Sequence, residues 1–125
     1  MLTTLVRSML IFALPYAVSP ARAQDPARAQ DDAELKQQGQ MLLANNCARC
    51  HAIASTGESP HREAPPFRTL GQKYPVDYLA EALGEGLSTG HPDMPEFVFE
   101  PHEIDAILTY LKSIQVPKTG PLQGR

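Results

Sequence analysis

The sequence predicts an all-α fold of three to five helices joined by long loops. Apolar residues recur at helical spacing near both ends of the chain, and no segment alternates apolar and polar over a useful length. The third observation is that 12 Pro and 8 Gly among 125 residues break up what lies between. The length suits one compact domain. Lys and Arg number 11 against 14 Asp and Glu, a net charge of -3, which lacks the basic excess that phosphate backbones or anionic membranes require. Nucleic-acid binding is therefore not expected. Two cysteines cannot build a disulfide-rich scaffold, so their use becomes the question.

Residues 1–23 read as a secretory signal peptide. Arg7 supplies positive charge, Ser8 to Val18 form an apolar stretch, and Ala21-Arg22-Ala23 has the small-x-small form of a cleavage site. The stretch is shorter than the ~20 residues of a membrane-spanning helix, and Pro15 interrupts it. Ala-Arg-Ala-Gln-Asp occurs at 21–25 and again at 27–31, so cleavage after Ala29 is an alternative to the favoured cleavage after Ala23. Removal of 1–23 leaves 102 residues with 9 basic and 14 acidic side chains, a charge of -5. The expected location is the periplasm, where two free thiols close together form a disulfide unless something else uses them. Residues 24–33 then form an N-terminal extension, 34–116 the domain and 117–125 a C-terminal tail.

Helix 1 is expected from Asp31, where Glu34 completes a capping box, to about Asn45. Leu35, Gly39, Leu42 and Leu43 mark one face. A glycine in that stripe costs ~1 kcal/mol relative to Ala, which suits a place where another backbone comes close. Ala52 to Pro66 has no period and reads as a loop long enough to wrap something. A short helical segment follows over Phe67 to Tyr74. Pro75 to Leu83 reads as a helix with Pro at its first position, Leu79 and Leu83 on one side and Gly84 as terminator. Gly84 to Glu100 forms a second loop. The last helix begins near Pro101 and shows Ile104, Ile107, Leu108, Leu111 and Ile114, ending before Pro117.

Cys47-Ala48-Arg49-Cys50-His51 follows the first helix and has the C-x-x-C-H form that attaches c-type haem. Two thiols one turn apart can reach the two vinyl groups of one porphyrin, and the adjoining histidine is held under the iron. Covalent attachment also removes the thiols from disulfide chemistry. A thioredoxin-like pair would sit at a helix N-terminus, where the dipole favours thiolate, whereas this pair follows a helix. A zinc site would need His61, His91 or His102 as a fourth ligand, and their spacing is poor.

The second loop offers Met94, flanked by Pro92 and Pro95, as the sixth iron ligand; pairing a soft thioether with histidine raises the reduction potential. His91 is the alternative distal ligand. Met41 is badly placed on the helix that carries Cys47. With these residues in hand, the chain resembles the small class I cytochromes c of bacteria from about Glu34 to Ile114. Cys47, Cys50 and His51 match the attachment motif, and Met94-Pro95 matches the distal methionine element. The resemblance implies that the Pro65 carbonyl accepts a hydrogen bond from the proximal histidine, and that Phe67, Tyr78, Pro95 and Phe97 support the haem pocket. It also implies that Gly39, Leu42 and Leu43 lie where the first helix crosses the last near Tyr110 and Leu111. Ala64 stands where the family has Gly, and helix 1 lacks the aromatic the family often places there.

The expected cofactor is one covalently bound haem c per chain with its iron, and the expected function is single-electron transfer between redox protein partners, not enzymatic catalysis. A gas sensor or catalyst with a displaceable distal ligand, or a thiol-disulfide oxidoreductase, are the alternatives. The mature chain has three Tyr and three Phe for its core. Haem counted as about three aromatic side chains of roughly 200 Å² adds at most ~15 kcal/mol of apolar burial, comparable with the whole stability of a domain. The haem-free chain is thus expected to be largely unfolded. No membrane span is expected in the mature chain, which is read as a monomer or as a subunit of a dehydrogenase complex.

Overall fold

The computed structural model describes residues 26–86 and 93–118. Four helices occur there in order: α1 (Pro26–Asn46), α2 (Leu70–Lys73), α3 (Leu79–Glu85) and α4 (Pro101–Ile114), with 3-10 turns at Phe67–Thr69 and Val76–Tyr78. No strand is present among the described residues, and no helix among them is long and apolar enough to cross a membrane. The signal-peptide reading of 1–23 lies outside the described residues, as do His91 and most of the C-terminal tail.

α1 is already formed at Pro26, five residues before the expected start, and runs unbroken across the boundary drawn at 33/34. Asp31 therefore lies inside the helix and is not its cap. The first two turns, 26–34, are exposed throughout. Burial begins with Gly39 and Leu43, which face α4.

α4 is the best-formed element. Pro101 occupies its first turn, and Glu100 and Glu103 form a reciprocal capping box in which Glu103 Oε2 accepts from the Glu100 N–H at 3.0 Å. Its inward face buries Ile104, Ala106, Ile107, Leu108, Tyr110 and Leu111. The two long helices cross where α1 has no side chain. A Cβ on Gly39 would overlap the Ala106 carbonyl of α4. The Tyr110 hydroxyl then donates to the Ile53 carbonyl at 3.1 Å, tying α4 to the loop that leaves α1.

α3 continues through Gly84 and stops at Gly86, whose φ of 103° is open to glycine and strained for other residues. The expected terminator at Gly84 is therefore corrected by two residues. Gly84 instead lets the helix approach Ile104 of α4, 3.3 Å from where a Cβ would stand. The Phe99 N–H donates to the Leu83 carbonyl at 2.9 Å and fastens the second loop to this helix end.

Candidate haem site

Cys47, Cys50 and His51 sit in a hydrogen-bonded turn that closes α1. The Cys47 carbonyl accepts from the N–H groups of Cys50 (3.1 Å) and His51 (2.9 Å), which holds both thiols and the imidazole on one compact turn. The thiols are unbonded to one another. Burial pushes the Cys47 thiol up to about 11, with the neighbouring Cys50 as a second cause. A redox nucleophile needs the opposite shift, toward thiolate, so Cys47 is poorly suited to that role.

His51 Nδ1 lies 2.9 Å from the Pro65 carbonyl oxygen. A carbonyl only accepts, so Nδ1 carries the proton and the Nε2 lone pair is left for a metal. The Phe67 ring tilts over the imidazole with centroids 4.5 Å apart, and the Phe67 N–H donates to the Ala52 carbonyl at 3.0 Å. Both contacts restrict the ring to one orientation.

These residues open onto a cavity of about 620 Å³, within the ~300–1,000 Å³ typical of small-molecule sites. The structure brings Cys47, Cys50, His51, Pro65, Phe67, Met94, Pro95 and Phe97 together around it. Tyr78 is left outside. The residue is 74% exposed, and the tyrosine that lines the cavity is Tyr74. The reason is local: Tyr74 turns to an extended backbone (φ -154°) before Pro75, so the helical phase restarts and Tyr78 points away. Phe67, Leu70 and Tyr74, at spacings of 3 and 4, form the continuous wall, and that period was available in the sequence. Burial raises the Tyr74 pKa, consistent with a largely apolar surround.

The core residues Leu43, Ile107 and Leu111 also line the cavity, so the interior of the fold is continuous with the site. Met41 is exposed and away from it. His61 lies at its edge with Nε2 3.8 Å from Asp93 Oδ2, while His102 is exposed. Among the described residues no three His, Cys, Asp or Glu side chains converge as a metal site, so the zinc reading has no ligand set there.

The donor set fits haem c. Two thiols on one turn, an imidazole whose Nδ1 is engaged by the Pro65 carbonyl and a predominantly apolar cavity match covalent attachment, axial ligation and porphyrin burial in turn. Such a fold and site define a haem-attaching electron-transfer domain. The family model for cytochrome c matches residues 36–115, and the chain belongs to the cytochrome c family, with its covalently attached haem c and iron. No curated relative and no solved structure matches the chain at a significant level.

Proposed function

We propose that this chain is an exported single-haem electron carrier whose iron is held by His51 Nε2 and Met94 Sδ. The observation that carries the reading is the 2.9 Å contact between His51 Nδ1 and the Pro65 carbonyl, which commits the ring to the metal-binding tautomer. Met94 supports the distal assignment because it lines the same cavity on a loop fastened to α3 through Phe99 and Leu83. A single C-x-x-C-H motif and two cysteines in the whole sequence support one haem.

When bound, the haem supplies a one-electron Fe(III)/Fe(II) couple. Cys47 and Cys50 would anchor it, His51 and Met94 would hold its iron, and the apolar walls would exclude water. Ligands retained in both oxidation states keep reorganisation small and deny the iron to substrates, which favours a carrier over a catalyst. The signal-like 1–23 segment supports export to the periplasm. Redox proteins are the partners, and a mature charge of -5 disfavours docking to strongly acidic ones.

Oxidised and reduced absorption spectra of the wild type and Met94→Ala test this reading. A low-spin c-type spectrum in the wild type that turns high-spin in the variant is expected. Identical low-spin spectra in both would remove Met94 from the iron.

A further inference from the structure

Gln115, which follows the last turn of α4, bridges two parts of the chain far apart in sequence. Its Nε2 donates to the carbonyls of Leu111 at 2.7 Å and Phe67 at 3.0 Å, and its Oε1 accepts from the Gly71 N–H at 2.7 Å. Both donors of the amide are thus engaged, and the oxygen accepts as well. The Val116 N–H adds a backbone bond to the Arg68 carbonyl at 2.9 Å.

The segment so held is the one that orients His51. Pro65 carries the carbonyl at 2.9 Å from Nδ1, and Phe67 packs on the imidazole and bonds Ala52. Local structure gives this segment little rigidity of its own. It consists of a three-residue 3-10 turn and the four-residue α2, neither with a side-chain cap, and helices this short are unstable in isolation. Bonds from Phe67 to the Ala52 carbonyl and from Arg68 to the Gly57 carbonyl tie it to the first loop, and Gln115 ties it to the well-packed α4.

We propose that Gln115 is a positioning residue for the axial histidine: its amide fixes Phe67 against α4, and through Phe67 the Pro65 carbonyl that sets the tautomer and orientation of His51. This rests on His51 being the proximal ligand. Hydrogen bonding at Nδ1 tunes the basicity of Nε2, so a loosened Pro65 carbonyl changes both the ring proton and the reduction potential.

Two variants of the haem-loaded protein separate the bonds. Gln115→Leu loses all three, while Gln115→Glu keeps an oxygen for the Gly71 N–H and cannot donate to Phe67. Proton NMR of the ferrous protein follows solvent exchange of the His51 Nδ1–H, the Gly71 amide and, as a control, the Ile107 amide in α4. In both variants the His51 ring proton is expected to exchange about tenfold faster, the worth of one hydrogen bond, with the Ile107 amide unchanged and the potential displaced in the same direction. The Gly71 amide should quicken only in Gln115→Leu. Unchanged His51 exchange and potential in Gln115→Glu overturns the proposal, as does acceleration of His51 and Ile107 in parallel, which would mark general loosening. If Gln115→Leu does not fold, Gln115→Glu decides alone. The wild-type spectrum guards the premise: a His51 ring proton without the shift imposed by a haem above it would refute proximal ligation itself.

Discussion

Gly39 of α1 lies directly against the backbone of Ala106 in α4. A Cβ built on Gly39 would stand 2.6 Å from the Ala106 carbonyl carbon and 2.9 Å from the Tyr110 Cβ. Backbone cannot give way as the end of a flexible side chain can, so the helices would have to separate. Gly39→Ala is therefore expected to lower stability by about 2–3 kcal/mol, outweighing the ~1 kcal/mol that alanine contributes to helix propensity. Guanidinium unfolding of the haem-loaded protein checks this, and an unchanged or raised midpoint would mean that the helices cross elsewhere.

The hydroxyl of Tyr110 gives a second prediction. It donates to the Ile53 carbonyl, and burial raises its pKa above the ordinary 10. The folded state keeps the proton to higher pH than the unfolded chain, so this contribution is complete below about pH 10 and is lost as pH rises through the folded pKa. Tyr110→Phe should cost about 1 kcal/mol at neutral pH and flatten the alkaline fall in stability. Tyr74, raised by burial in the same direction, should account for part of what remains. Unfolding free energies from about pH 8 to 11 provide the measurement, and an unaltered alkaline limb would assign the loss to other groups.

Continuity between core and cavity makes the fold depend on its cofactor. Leu43, Ile107 and Leu111 face both the interior and a cavity of about 620 Å³, which without haem is left to water or collapse. A Cys47→Ser/Cys50→Ser chain, unable to attach haem, should show little helical circular dichroism and no cooperative melt. Native helicity with a sharp transition would show that α1 and α4 suffice by themselves.

Much of this was legible in the sequence because the signals are local. The α4 stripe of Ile104, Ile107, Leu108 and Leu111 is buried as its period implies, and Gly39 meets a backbone as its place in an apolar stripe implies. The C-x-x-C-H spacing is sufficient to identify the thiols and the histidine as a group. What failed depends on phase or on long-range partners. Tyr78 looks like the continuation of the Phe67, Leu70, Tyr74 face until the extended backbone before Pro75 resets the register. Asp31 resembles a cap, yet it lies inside α1, which already covers Pro26 to Asp31. Gln115 carries no periodic or motif signal, since its partners Phe67 and Gly71 lie 48 and 44 residues away.

Carbon monoxide added to the ferrous haem-loaded protein tests most directly whether Met94 makes this chain a carrier. With His51 and Met94 both bound to iron, binding should be slow and incomplete in the wild type, and fast and complete in Met94→Ala. Rapid, complete binding by the wild type would contradict stable Met94 ligation and move the chain toward gas sensing or catalysis.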